Sequence, residues 1–166
     1  MGSTFVTLGR DTNGKRTAEV KDEVGFWMTD TILRLWLRLL ALHIAEPDQP
    51  GSLIGVVRDQ WLLASRYGFV GMVPHDLDKA TATDEGLQIV RNAVVSLDRV
   101  LRDTTEPLPP QSLNLLGLAG EFNVSVYPEA LREVATAFVD LLDFNVQSTV
   151  STKRPYPGSR QKLPLH

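Results

Sequence analysis

The chain has 166 residues, of which 43% are hydrophobic, and its 20 acidic and 17 basic side chains give a formal net charge of −3. This length suits one domain with a sizeable core. The absence of cysteine excludes disulfide frameworks, thiolate zinc sites and cysteine nucleophiles. It also fits a reducing compartment, so we expect a cytoplasmic protein.

The charge is unevenly distributed along the chain. No acidic residue follows Val146, whereas four basic residues do: Lys153, Arg154, Arg160 and Lys162. Without them, residues 1–146 have 13 basic and 20 acidic side chains and a net charge of −7. An acidic body argues against nucleic acid as a partner and favours a basic protein. We predict one helical domain over residues 1–146 and a disordered basic tail over residues 147–166.

The first 22 residues have the pattern of a β-hairpin. Residues 4–8 alternate weakly between apolar and polar, and residues 11–14 read Asp-Thr-Asn-Gly, a turn sequence. Asn-Gly tolerates the positive φ angles of tight hairpin turns. We therefore predict a hairpin that returns through residues 17–20, the alternative being a flexible arm.

The strongest pattern in the chain is an apolar helix. Ten of the thirteen residues from 32 to 44 are apolar, and Arg34 and Arg38 lie one turn apart within them. The stretch is too short for the ~20 residues that span a bilayer, and it contains two arginines. A helix that is apolar around most of its circumference is typical of the centre of a helical bundle.

Further elements follow with recognisable start signals. Ser52 and Thr83 are predicted N-caps of two amphipathic helices, and Pro128 is predicted to open a last helix. Residues 112–118 predict a short helix, and residues 122–127 predict a strand that pairs with the N-terminal hairpin. The fold class is therefore mainly α, a single-domain bundle of about four to five helices with a small N-terminal β-hairpin. The apolar seam of the Thr83 helix would also suit a coiled-coil dimer, so a homo-oligomer is an alternative.

One local group combines an imidazole with carboxylates, at residues 74–78 (Pro-His-Asp-Leu-Asp). Together with a helical histidine and a late aspartate, it resembles the metal set of the HD-domain metal-dependent phosphohydrolases, an all-helical family. The resemblance implies metal ligation by His43, by the pair His75 and Asp76, and by Asp140 or Asp143. The alternative is that His75, Asp76 and Asp78 are loop and capping residues.

The leading hypothesis is a non-catalytic interaction module without a cofactor. Small acidic helical proteins without cysteine include many bacterial antitoxins and immunity proteins, which block basic toxins, although this is an analogy of class only. An acidic helical surface would then contact the basic partner. The candidate binding residues lie on and beside the Thr83 helix: Asp84, Glu85, Asp98 and Asp103.

A third hypothesis rests on the aromatic residues in the first half of the chain. Trp36 and Trp61 lie on the two helices that follow the N-terminal segment, and we expect them to pack together in the core. Helical bundles also build ligand sites between facing helices. A groove beside these tryptophans for a small apolar ligand is therefore a further alternative.

Overall fold

The computed structural model describes residues 2–44, 51–68, 72–151 and 156–159. Over these ranges the protein is mainly α-helical with a two-stranded antiparallel sheet near the N-terminus. The strands and helices are, in chain order, β1 (Ser3–Thr7), β2 (Gly25–Thr29), α1 (Asp30–Leu42), α2 (Leu53–Arg66), α3 (Leu77–Ala80), α4 (Asp84–Arg102), α5 (Pro110–Asn114) and α6 (Pro128–Leu142). A single 3-10 turn at Val20–Asp22 precedes β2.

The hairpin has a different second strand from the predicted one. β1 pairs with β2 in a register that places Phe5 opposite Trp27. The predicted return through residues 17–20 forms no strand, although the N–H of Thr17 donates to the carbonyl oxygen of Gly9 at 3.2 Å and the preceding residue, Arg16, forms a bridge with Arg10. The reason is burial. Phe26 and Met28 point into the core from β2, whereas residues 18–20 are exposed.

Helix α1 lies at the centre of the bundle, as its composition predicts. It contacts α2, α4 and both strands, and Leu33, Leu35, Trp36, Leu37 and Leu40 are completely buried. Arg38, one of the two arginines within the apolar stretch, is only 8% exposed. Its guanidinium donates to the Ser65 hydroxyl at 3.0 Å and to the carbonyl oxygen of Leu116. Within the described ranges, no helix is both long and apolar enough to cross a membrane.

Helices α4 and α6 form the most extensive helix pair. Thr83 and Ser52 cap α4 and α2 as predicted, since their hydroxyls accept hydrogen bonds from the backbone N–H groups of Gly86 and Gly55. The apolar seam of α4 is buried at Val90, Val94, Leu97 and Leu101. The apolar seam of α4 is therefore buried by packing within the chain.

The predicted strand at residues 122–127 does not join the hairpin. Among the described residues it forms a single bridge, between Leu108 and Val126. Val126 is fully buried, and the segment runs directly into α6 at Pro128. The predicted short helix nearby is α5, which begins two residues earlier than expected and ends at Asn114.

The described parts of the predicted tail pack against the domain. The carbonyl oxygen of Ser148 accepts a hydrogen bond from the N–H of Gly25 at 2.8 Å, and Thr149 forms a bridge with Val24. Gly158 is buried, and a Cβ there would lie 3.1 Å from side-chain carbons of Ile32 and Val134. The four basic residues of the tail lie outside the described residues: Lys153, Arg154, Arg160 and Lys162.

Candidate functional site: a cleft along the first strand

A cavity of about 450 Å³ lies along β1. We call it the β1 cleft. Its lining comes from β1 and the residues after it, from β2 and the turn before it, from α3 and the segment before it, and from the chain after α6: Ser3, Thr4, Phe5, Thr7, Gly9, Val20, Glu23, Trp27, Met72, His75, Asp78 and Val150. The cleft therefore joins parts of the chain that are distant in sequence.

Aromatic rings form one wall of the β1 cleft. Phe5 and Trp27 face each other across the hairpin with ring centroids 5.4 Å apart, because they are register partners on the face of the sheet that points away from the core. The indole N–H of Trp27 donates to the carbonyl oxygen of Val150 at 3.0 Å. This bond holds the Trp27 ring in place, so the wall is already formed without a ligand.

Two carboxylates lie at one end of the cleft. A Cβ on Gly9 would come within 4 Å of both the Glu23 Oε1 atom and the Asp78 Cβ. Burial, and secondly the negative charge of Asp78, raise the pKa of Glu23 above its ordinary value of 4.5. Within the described parts of the chain, neither carboxylate receives a hydrogen bond or an ion pair. The guanidinium of Arg16 donates to the backbone carbonyl oxygen of Asp78 at 3.4 Å, so among the described residues a positive charge lies beside this end of the cleft without forming an ion pair with either carboxylate.

His75 forms the floor of the cleft and is buried. Its Nδ1 atom accepts a hydrogen bond from the N–H of Leu77 at 3.1 Å, so the ring proton is on Nε2 and is donated to the carbonyl oxygen of Phe5 at 3.2 Å. Burial is the main cause that lowers the pKa of His75. Its backbone carbonyl also accepts from the Trp61 indole. Both ring nitrogens are engaged, so His75 is a neutral structural link between β1, α2 and α3.

Two linked, buried hydrogen bonds stabilise the other end of the cleft. The Thr4 hydroxyl donates to Asp30 Oδ1 at 2.7 Å and accepts from the N–H of Val73 at 2.9 Å. All three groups are buried. The bonds fix the segment before α3 against β1, and through Asp30 against the start of α1.

The acidic residues predicted on α4 do not form one surface. Asp84 and Asp103 lie at opposite ends of the helix, roughly 28 Å apart at 1.5 Å per residue. Glu85 is exposed beside Asp84, where both carboxylates complement the helix dipole. Asp98 is only 18% exposed and forms ion pairs with Arg102 and Arg132, at 2.9 and 3.7 Å.

The metal set implied by the HD-domain resemblance is not brought together. Among the described residues, which include His43, His75, Asp76 and Asp140, no group of three or more candidate ligands could hold a metal ion. The Nδ1 atom of His43 instead lies 2.9 Å from the Ser96 hydroxyl on α4. Burial lowers the pKa of His43.

The remaining predicted ligands of that set have other contacts. Asp76 precedes α3 in the left-handed backbone region, with φ of 48°, and pairs with Lys79 at 3.7 Å. Asp140 and Asp143 lie at the end of α6, where Asp143 forms an ion pair with Arg91 of α4. These aspartates therefore lie at helix ends and form ion pairs that contribute to local packing.

The two tryptophans of the apolar-ligand hypothesis are both fully buried. Trp36 packs on Phe138 of α6 with ring centroids 5.4 Å apart. Trp61 borders a smaller cavity of about 210 Å³ between α2 and α3. The larger β1 cleft has aromatic walls of its own, which Phe5 and Trp27 supply.

Sequence reasoning missed Glu23 as a site residue and gave Asp78 only a loop or capping role. The two residues are 55 positions apart and belong to no shared motif. The one available signal was the apolar, aromatic-rich run of residues 26–28 (Phe-Trp-Met), which is compatible with a strand beside β1.

Comparison of the chain with models of protein families, with curated proteins and with solved structures finds no match.

Proposed function

We propose that the protein is a non-catalytic binding module whose β1 cleft holds a basic segment of a partner protein. The observation that carries the proposal is the pair of carboxylates, Glu23 and Asp78, which have no ion pair among the described residues and lie at the end of an aromatic-lined cleft. The proposal keeps the basic partner expected from the acidic composition and the cytoplasmic location expected from the absence of cysteine. It moves the contact from α4 to the cleft.

Electrostatics supports a cation as the bound group. Two carboxylates that repel each other in a partly desolvated site raise the free energy of the unliganded protein, and a bound ammonium or guanidinium group removes that repulsion. The aromatic rings of Phe5 and Trp27 add cation–π attraction, and Val20, Met72 and Val150 supply apolar contact for the aliphatic part of a lysine or arginine side chain.

The state of His75 supports binding rather than catalysis. A general base needs a nitrogen that can take a proton from the reacting group. Both ring nitrogens of His75 are occupied by backbone groups, so the imidazole serves to position the floor of the cleft.

The proposal is tested by isothermal titration calorimetry with a blocked peptide in which lysine alternates with valine. We expect binding to the wild-type protein that weakens with added salt. In the double variant Glu23→Gln, Asp78→Asn, the affinity should fall at least about tenfold, because the cation loses both counter-charges. The matched control is Asp84→Asn, Glu85→Gln on α4, which removes the same number of charges and should change the affinity less than about twofold. Equal losses in the two double variants would contradict the proposal.

A further inference from the structure

We propose that a second copy of this chain docks on the outer face of α2, so that two α2 helices pack antiparallel about a two-fold axis. The docking face shares no residue with the β1 cleft, so the inference does not depend on the proposed function. Five residues at helical spacing form this face, which we call the α2 stripe: Leu53, Val56, Gln60, Leu63 and Tyr67.

The α2 stripe has the spacing of a helix-pairing surface. Its members recur at intervals of three, four, three and four residues, which is the spacing of a and d positions in a coiled coil. Val56, Leu63 and Tyr67 are 48%, 47% and 53% exposed. The core-facing side of the same helix is formed by other residues, among them Trp61 and Ala64. Helix α2 therefore has a second, largely apolar surface that packing within the chain leaves uncovered.

Two charges beside the α2 stripe favour the antiparallel orientation. Asp59 and Arg66 directly precede Gln60 and Tyr67, and both are exposed. Among the described residues, neither forms an ion pair. In an antiparallel pair, Asp59 of one copy faces Arg66 of the partner subunit, and the two-fold axis repeats this pair. A parallel pair would place Asp59 opposite an alanine, Ala64, so it would have no such charge complementarity.

The antiparallel alignment also places an aromatic ring at a cavity. When Gln60 lies opposite Leu63 of the partner subunit, Val56 lies opposite Tyr67 of the partner subunit. Val56 and Gln60 line the cavity of about 210 Å³ between α2 and α3. A tyrosine that fills a pocket is a common source of binding energy at interfaces, and the two-fold axis supplies two of them.

The length of the contact sets the expected strength of the dimer. Helix α2 has 14 residues, a length of roughly 21 Å. A single pair of helices this long is a small interface, and its exposed ion pairs contribute more to orientation than to affinity. We therefore expect a reversible dimer with a dissociation constant in the micromolar range.

Sedimentation equilibrium of the wild-type protein and of two variants tests the docking face. Leu63→Glu places two negative charges near the centre of the contact, and the dimer should dissociate at least about tenfold more readily. The matched control is Val100→Glu, since Val100 is similarly exposed at 50% but lies on α4, and it should change the dissociation constant less than about twofold. A wild-type protein that stays monomeric through millimolar concentration, or equal effects of the two variants, would overturn the inference.

A charge exchange tests the antiparallel orientation. Asp59→Arg should weaken the dimer at least about threefold, because two like-charged pairs replace two opposite ones. The double variant Asp59→Arg, Arg66→Asp restores opposite charges across the two-fold axis, so its dissociation constant should return to within about twofold of the wild-type value. A double variant that dimerises no better than Asp59→Arg would overturn the proposed arrangement.

A last measurement needs no variant. In methyl NMR spectra of the wild-type protein, the signals of Val56 and Leu63 should shift with protein concentration, whereas those of Val100 should not. Concentration-dependent shifts at Val100 with unchanged signals from the α2 stripe would also overturn the inference.

Discussion

The Nε2 atom of His75 donates a hydrogen bond to the carbonyl oxygen of Phe5 at 3.2 Å, and this bond joins the floor of the β1 cleft to the edge of its strand. On the other side, the N–H of Leu77 donates to Nδ1. A protonated imidazole could not accept that second bond. The geometry of the cleft is therefore coupled to the protonation state of one buried histidine.

Because of this coupling, we predict that the free energy of unfolding decreases as the pH falls below 6.5. The pKa of His75 is lowered from 6.5 in the folded protein, so the unfolded chain takes up this proton at a higher pH than the folded protein does. The free energy of unfolding therefore decreases from about pH 6.5 until the pH has fallen through the folded pKa. One imidazole contributes at most about 1.4 kcal/mol per pH unit. Urea unfolding at pH 7.5, 6.5 and 5.5 measures the slope.

Burial also lowers the pKa of His43, but this side chain is only half-buried. The variant His75→Gln should therefore reduce that slope more than His43→Gln does. A slope that is unchanged in His75→Gln would show that His75 is not the group responsible.

Glu23→Gln should stabilise the protein at pH 7 while it weakens peptide binding. The pKa of Glu23 is raised by burial and by Asp78, so the stability that the protonated form provides is lost as the pH rises through the folded value. The glutamine side chain does not ionise, so the variant avoids this loss of stability. Differential scanning calorimetry should show a higher Tm at pH 7 and no difference below pH 4, where the carboxyl is protonated in both states. The exposed Glu121→Gln is the control, and a lower Tm for Glu23→Gln at pH 7 would contradict the account.

Thr4→Val should destabilise the protein by about 2–6 kcal/mol. The valine has nearly the same shape, but it leaves the N–H of Val73 and the Oδ1 atom of Asp30 without the hydroxyl they both use, and each unsatisfied buried group costs about 1–3 kcal/mol. Thr4→Ser keeps the hydroxyl and loses a methyl group, so its cost should be about 1 kcal/mol. Chemical denaturation compares the two variants, and equal costs would show that packing, rather than the hydrogen bonds, dominates at this site.

Gly25→Ala should destabilise the hairpin by about 3 kcal/mol, at the upper end of overpacking costs. A Cβ at this position would lie 2.0 Å from the carbonyl oxygen of Val6, a backbone atom that cannot move without disturbing β1. Gly68→Ala is the matched control, because a Cβ there meets nothing within 4 Å, and it should be neutral or slightly stabilising. The Tm values of the two variants check this prediction, which would be wrong if both changed equally.

The helices could be predicted because their signals are local. Thr83 caps α4 and Pro128 opens α6 where the sequence indicates, and the apolar spacing of each helix identifies its buried face. Strand β2 was missed because Gly25–Thr29 is followed directly by α1. Without a turn sequence between them, these five residues were interpreted as the segment that leads into the helix. The burial of Arg38 was missed for a related reason, since its partners Ser65 and Leu116 come from distant segments.

The candidate site could be predicted only in part, because tertiary packing creates it. His75 stood out in sequence as an imidazole beside carboxylates, but its role follows from the carbonyl of Phe5, 70 residues away. Glu23 and Asp78 are far apart in sequence, and the fold places both beside Gly9. The acidic residues of α4 were easier to find since they share one helix, yet they are spread along its length and Asp98 is already paired.

The most direct measurement of the central claim is a titration of ¹⁵N-labelled protein with the lysine–valine peptide, followed by heteronuclear NMR. The account predicts that the largest shifts appear at the amides of Phe5, Thr7 and Glu23 and at the indole N–H of Trp27. Largest shifts at Asp84 and Glu85, with the cleft signals unchanged, would contradict it and return the binding surface to α4.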